Sequence, residues 1–383
     1  MQDTDPTPAV SQASALVAWL RLVHTPGVGP VSAKRLLARF TDPDAIFSAS
    51  HAALRTLVSD ALARALLTAP DAAQQRAIDT ALAWQAEPGN ALITWQDAAY
   101  PALLRELPDP PPVLYAKGRV DLLAGPALAI VGSRNATLQG KATASAFGAA
   151  LSAAGITIVS GMALGIDAAA HEGGLRGPGS TIAVVGTGAD RIYPRRNRDL
   201  AHQIASGGCV VSEYALGTPP LAANFPRRNR LISGLACGVL VVEAAAGSGS
   251  LITAEVAIEQ GRDVFAIPGS IHSPLAKGCH QLIGQGAQLI EHADQLLVAL
   301  STSPLLRAGL PPQAMAAPGA GATPVAPEGS TVLDALGQGP VHGDLLAEAV
   351  DMPVGKLMAQ LMTLELAGRV ERLPGGLFQR VNH

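Results

Sequence analysis

Two short apolar runs of this chain end in turns built from small residues. Ala127–Val131 leads into Gly132-Ser-Arg-Asn-Ala-Thr137, and Ile156–Ser160 leads into Gly161-Met-Ala-Leu-Gly-Ile-Asp167. Glycine lets a ligand approach the backbone closely, and the start of a following helix favours an anion. Arg134 adds a planar fork of N–H donors matched to phosphate oxygens. Gly186-Thr-Gly188 and Gly247-Ser-Gly-Ser250 close later apolar runs in the same manner. Arginines cluster in Tyr193-Pro-Arg-Arg-Asn-Arg198 and Phe225-Pro-Arg-Arg-Asn-Arg230, each expected to open a helix just after a strand. The helix macrodipole disfavours cations there, so an anionic ligand would account for their placement. The chemistry these residues suit is phosphate binding.

Other chemistries fit less well. Gly186-Thr-Gly-Ala-Asp-Arg191 puts arginine where a dinucleotide site needs its third glycine, and no P-loop ending in Gly-Lys-Ser/Thr occurs, so neither NAD nor ATP, and no other cofactor, is expected. His171, His272 and His280 lack metal-ligand spacing with acidic partners. Cys209, Cys237 and Cys279 form no C-x-x-C pair and read as small buried hydrophobes, so no metal is expected. No nucleophile is placed with a base and no carboxylate cluster suggests magnesium, which favours binding over catalysis. One enzymatic alternative remains. Gly247-Ser-Gly-Ser-Leu-Ile-Thr-Ala-Glu255 resembles the loop of Rossmann-like nucleotide phosphoribohydrolases, with Glu255 as general base, although it lacks that loop's proline and one glycine.

Composition narrows the ligand. A formal net charge of −3 argues against general nucleic-acid affinity, so any such binding needs a local basic patch. Aromatic residues are only 3%, too few for a broad base-stacking platform, which leaves phosphate as the handle. With 48% hydrophobic and 15% charged residues, the chain as a whole is not disordered. No apolar run approaches the ~20 residues of a membrane-spanning helix, and MQDTDPTPAV lacks the order of a signal peptide, so a cytoplasmic location is expected.

The elements that must position these turns form an α/β pattern. Ala127–Val131, Ile156–Ser160, Thr181–Gly186, Cys209–Ser212, Gly238–Glu243 and Asp263–Ile267 alternate with helical stretches such as Lys141–Ala153, Asp199–Ala205 and Ile252–Gln260. Continuous apolar strands between helices specify a parallel sheet covered on both faces, with ligands beyond the strands' carboxyl ends. Upstream, Ala13 to Thr68 reads as a helical bundle. Its Thr25-Pro-Gly-Val-Gly-Pro30 turn is similar to a helix-hairpin-helix, either gripping phosphate or serving as a plain helical turn. Residues 303–328 read as a Pro/Ala/Gly-rich linker. Ser330–Leu336, Asp344–Val350 and Val354–Ala367 follow as short helices and Arg369–Val381 as a hairpin, the order of a winged helix. The expected domains are thus 1–80 (helical, helix-hairpin-helix/SAM-like), 85–300 (Rossmann-like), a 301–328 linker, and 329–383 (winged helix). A duplex-DNA regulator acting through that winged helix is the second alternative, weakened by the single lysine of Val354–Glu365.

Taken in order, Val131-Gly-Ser-Arg134, Ser160–His171, Tyr193-Pro194, Ser212-Glu-Tyr214, Phe225–Gly234, Val241–Ala244, Gly249–Ala254 and Ile267-Pro-Gly-Ser270 resemble the DNA-processing protein A (DprA/Smf) family. The resemblance is dense over residues 90–300 and extends to both flanking regions. It implies an extended Rossmann-like domain that binds single-stranded DNA, forms a homodimer and loads the RecA recombinase during natural transformation. By motif position it puts the DNA-binding pocket on Gly132, Ser133, Arg134, Gly161, Arg195, Arg227, Asn229, Arg230 and Lys277. His280 departs from the asparagine of many members.

Overall fold

The structure is a computed structural model that describes residues 8–303, 332, 336, 341–343, 346–347, 352–373 and 376–381, with side chains from residue 15 onward. Beyond residue 303 the expected linker lies outside the described residues. So do the helices expected at 330–336 and 344–350, apart from single positions. The chain divides into two compact units, Met1–Met315 and Ala316–His383.

The first unit opens with six helices: α1 (Pro8–His24), α2 (Pro30–Phe40), α3 (Pro43–Phe47), α4 (His51–Arg55), α5 (Asp60–Leu67) and α6 (Ala72–Gln85). Their starts are written in the side chains. Asp42, Ser50, Ser59 and Asp71 each accept a backbone N–H of the following turn, and Gln74 completes a capping box with Asp71. Gly27, at φ +84°, reverses the chain between α1 and α2, and Pro30 begins α2 where a missing N–H costs nothing. The apolar faces of these helices, including Trp19, Leu36, Ile46 and Leu66, share one core with Leu92, Val113 and Tyr115. Trp84 packs its ring 5.9 Å from that of Tyr115.

A nine-stranded sheet follows, formed by β1 (Asn90–Thr94), β2 (Val113–Gly118), β3 (Ala127–Val131), β4 (Thr157–Ser160), β5 (Thr181–Val184), β6 (Cys209–Ser212), β7 (Gly238–Val241), β8 (Asp263–Ala266) and β9 (Gln288–Leu289). The strand order is β1-β2-β6-β5-β4-β3-β7-β8-β9. From β6 to β9 all pairs are parallel, whereas β1 and β2 add an antiparallel edge that the apolar pattern alone did not announce. Helices α7 (Ala102–Arg105), α8 (Leu138–Ala153), α9 (Ile166–Gly174), α10 (Arg198–Gly207), α11 (Asn224–Leu235), α12 (Gly249–Glu259), α13 (Lys277–Gly284) and α14 (Ala293–Thr302) connect them. Alternate residues of β3 serve two cores: Ala127, Ala129 and Val131 face one, Leu128 and Ile130 the other. After β3 the chain winds outward through β4, β5 and β6. Then α11 carries it back to β7 on the other flank of β3. That reversal makes the gap between β3 and β7 a topological switch point, the place where open α/β sheets hold ligands.

In the second unit, β10 (Val341–His342), α15 (Val354–Leu366), β11 (Val370–Leu373) and β12 (Leu377–Arg380) are described. The last two strands form an antiparallel hairpin with Leu373 opposite Leu377, and Gly376 turns at φ +76°. Phe378 of the hairpin shares a core with Leu357 and Leu361 of α15. Helix followed by hairpin is the arrangement expected of a winged helix. Among the described residues no helix is long and apolar enough to cross a membrane.

Candidate nucleic-acid interface

At the switch point lies a groove of about 420 Å3. Its walls come from four places: Gly132, Ser133, Arg134 and Asn135 of the β3–α8 turn, Ala163 and Asp167 after β4, Phe225 and Asn229 of α11, and Ser248 and Ser250 at the start of α12. Arg134 is exposed and makes no ion pair with any described carboxylate. It also borders a second hollow of about 540 Å3 that contains Lys141 and Arg196 beside Glu172. Three cations therefore border one continuous strip, Arg134 standing between the two hollows. Tyr193 and Phe225, whose ring centroids are 5.4 Å apart, bring the two arginine segments side by side at its edge.

The turns beneath this strip are held by the protein's own carboxylates. Glu243, following β7, accepts from the Thr137 N–H (2.9 Å) and hydroxyl (2.6 Å), while its carbonyl takes the Ser133 N–H at 2.7 Å. Only glycine fits at 132 and 140. A Cβ on Gly132 would stand 2.8 Å from the Glu243 carbonyl oxygen, and one on Gly140 would overlap the Glu243 carboxylate. Asp167 likewise accepts the N–H groups of Gly161 (3.1 Å) and Ala163 (3.2 Å). Burial pushes its carboxyl pKa up, against the opposing pull of Arg228 and these hydrogen bonds. The expectation that main-chain amides of both turns cradle phosphate is therefore narrowed. A carboxylate uses the same convergent donors as a phosphate, and the Thr137 N–H is held by the Glu243 carboxylate, the Ser133 N–H by the Glu243 carbonyl, and those of Gly161 and Ala163 by Asp167.

The sequence-selected residues separate accordingly. Gly132, Ser133, Arg134 and Asn229 line the groove. Gly161 lies beneath it, its N–H on Asp167 and its carbonyl accepting from the Arg228 guanidinium at 2.6 Å, so neither group is left for a ligand. Arg228, which also donates to the Val184 carbonyl, closes the carboxyl ends of β4 and β5, and burial pulls its pKa down to about 10. Arg230 is a second correction. Rather than facing solvent it is buried, 2.6 Å from Glu213 and 2.8 Å from Asp109, because its position on α11 points under the helix. Arg227 is half exposed, 4.0 Å from Glu213, and borders a different cavity. Arg195 is exposed on the turn before α10 and lines neither hollow. Lys277, also outside both, donates to the Ile271 carbonyl at 2.7 Å, and His280 bonds the Gly269 carbonyl at 2.9 Å. Together they fix the loop after β8.

Lys141 was not singled out from sequence, and Arg196 was read only as part of the Tyr193–Arg198 cluster. The reasoning used for the arginine clusters would have found Lys141, since it is a cation in the first turn of α8 just past the Thr137 cap. The alternatives lose ground on placement. Glu255 is exposed on α12 and is not among the groove residues. The N-terminal hairpin turns its Gly29 N–H to Ser32 Oγ (2.9 Å) and its Val28 N–H to the Thr25 carbonyl (3.1 Å), which favours a structural role. Helix α15 exposes Val354, Met358, Met362 and Leu366 at every fourth position, an apolar stripe unlike a base-reading surface.

A family model described as DNA recombination-mediator protein A matches residues 91–301, and one for the DprA winged helix domain matches residues 311–376. Protein Smf of Escherichia coli strain K12 is 41% identical over 79% of this chain and 80% of its own length. The X-ray structure of DNA processing protein A from Streptococcus pneumoniae has a TM-score of 0.64 and 37% identity, covering 74% of this chain and 97% of that one. The structure of DNA processing protein A from Helicobacter pylori reaches a TM-score of 0.51 at 32% identity, covering 55% of this chain and 95% of that one. It describes that protein's single-stranded DNA binding mode.

Proposed function

The chain belongs to the DNA recombination-mediator protein A family, and from that premise we propose that it mediates recombination by holding single-stranded DNA along the strip from the β3–β7 groove past Arg134 to Lys141 and Arg196. The observation that carries this reading is the unpaired, exposed Arg134 shared by two adjoining hollows at the switch point. Phosphate contacts from Arg134, Lys141 and Arg196, hydroxyls of Ser133 and Ser248, and Asn229 supply backbone affinity without sequence readout. Arg195, Arg227 and Lys277 extend the positive rim, while Arg230 and Gly161 support it from below.

Loading of a RecA-type recombinase, action as a homodimer and a place in natural transformation complete the proposal, as family membership suggests. Self-association is supported by β9, the outermost strand of the sheet among the described residues, where Leu289 and nearby Val298 of α14 are exposed. The duplex and phosphoribohydrolase readings have no comparable support.

Binding of equal-length single and double strands across a salt series tests the reading. The single strand is expected to win at every salt concentration. Arg134→Ala should flatten the slope of log K against log salt by about 0.7, one phosphate contact on a single strand. A duplex that competes equally, or an unchanged slope, would overturn it.

A further inference from the structure

Glu243 holds both ends of the loop that carries Arg134. Where β3 and β7 stop, their ladder runs on: Val242 donates to the Val131 carbonyl at 3.1 Å and Ser133 to the Glu243 carbonyl at 2.7 Å. The Glu243 side chain then reaches the far end of the loop, one oxygen accepting the Thr137 N–H at 2.9 Å and the other the Thr137 hydroxyl at 2.6 Å. Thr137 Oγ1 in turn accepts the Gly140 N–H at 2.9 Å and caps α8. Arg134 lies within the pinned span, exposed and without an ion pair to any described carboxylate. Underneath, a Cβ on Gly165 would stand 2.7 Å from the Arg134 carbonyl oxygen, so the floor of the loop is close-packed.

A carboxylate beside a strip for a polyanion needs a reason, because its charge repels phosphate. Both Glu243 oxygens are spent on the start of α8, where the macrodipole favours a negative charge, and neither pairs with Arg134. Glu243 is also absent from the groove wall. Resting on the single-strand reading above, we propose that Glu243 is a positioning residue: it makes no contact with DNA and fixes the backbone from which Arg134 meets phosphate. Binding must order every flexible group it uses, so a loop already fixed at both ends lowers that cost. Gly140 belongs to the same device, because a Cβ there would overlap the carboxylate and push it off Thr137.

Titration of the full chain with single-stranded DNA across a salt series tests this in Glu243→Gln and Gly140→Ala, each alone and combined with Arg134→Ala. Glu243→Gln keeps the side chain's length but puts an oxygen on one Thr137 donor and an NH2 group on the other. Gly140→Ala deletes no polar group and favours α8 by helix propensity, yet displaces the carboxylate, so it decides should Glu243→Gln not fold. Each should weaken binding roughly tenfold and flatten the slope of log K against log salt by up to about 0.7. In the Arg134→Ala background neither should weaken binding further. Charge alone predicts the opposite for Glu243→Gln, tighter binding through a lost repulsion. A purely structural role predicts equal losses with and without Arg134, at an unchanged slope. Either of these results overturns the positioning role and leaves the strip standing, provided Arg134→Ala itself flattens the slope. An Arg134→Ala slope equal to wild type overturns both.

Discussion

The pentapeptide Pro-Arg-Arg-Asn-Arg occurs twice, at 194–198 and at 226–230, and the two copies do opposite things. In the first, Arg195, Arg196 and Arg198 are exposed, and only Asn197 is buried, donating to the Met162 (2.8 Å) and Ala163 (3.1 Å) carbonyls. In the second, Arg228 and Arg230 are buried on internal oxygens and Asn229 is turned to the groove. Residue type is the same, so the supporting element decides. A single 3-10 turn at the surface leaves its side chains in water. Helix α11 instead lies across strand ends whose carbonyls and carboxylates need donors. One copy is solvent-facing charge; the other is largely scaffold that holds one edge of the groove.

Breaking the scaffold copy should have the largest consequence. Arg228→Ala leaves Asp167 without its buried countercharge and two carbonyls unmatched, and should cost ~3–5 kcal/mol of stability. Arg230→Ala, which frees Glu213 and Asp109, should cost roughly 1.5–3 kcal/mol. Chemical denaturation measures both, and a loss under 1 kcal/mol at Arg228 would erase the distinction between the copies. The layer around Arg228 should also respond to acid. His171, fully buried with Nδ1 2.7 Å from Thr181 Oγ1, has its pKa lowered to about 3 by burial and then by Arg228. A histidine depressed in the folded state takes up its proton on unfolding. Its contribution is therefore complete at neutral pH and is lost as pH falls from 6.5 toward about 3, by ~1.4 kcal/mol per unit. Buried Asp167 and Glu213, whose pKa values are raised, act in the opposite sense. The difference between wild type and His171→Gln isolates the histidine, and parallel stability–pH curves would refute its role.

Much of this frame was legible in the sequence because burial on both faces makes strands continuous apolar runs. All six strands read from Ala127–Val131 to Asp263–Ile267 are present within a residue or two of their bounds. The antiparallel β1 and β2 escaped because the Pro-rich turn between them, Pro108–Pro112, masks a pairing that depends on tertiary contact with β6. The candidate site was half legible. Arg134 could be read because its turn is short and local. The fates of Gly161, Arg228 and Arg230 depend on Asp167, Val184, Glu213 and Asp109, distant or unremarkable in sequence, and no spacing rule reveals which arginine a carboxylate will claim.

The ligand-facing side sharpens the comparison more gently. Arg195→Ala and Arg196→Ala should each change stability by no more than about 0.5 kcal/mol, since exposed substitutions away from packed features rarely do more. On single-stranded DNA each should flatten the salt slope by up to about 0.7, as one phosphate contact is lost, with Arg196 the larger because it borders the hollow beside Arg134. Base composition of the strand should not alter either effect, because the proposed contacts are to phosphate, which carries no sequence information. If Arg196→Ala instead lowered stability as Arg228→Ala is expected to, the first copy would be scaffold as well. The polyanion would then have to run along the other rim, past Asn229 and Ser250, where the described residues offer no exposed cation beyond Arg134 within the groove.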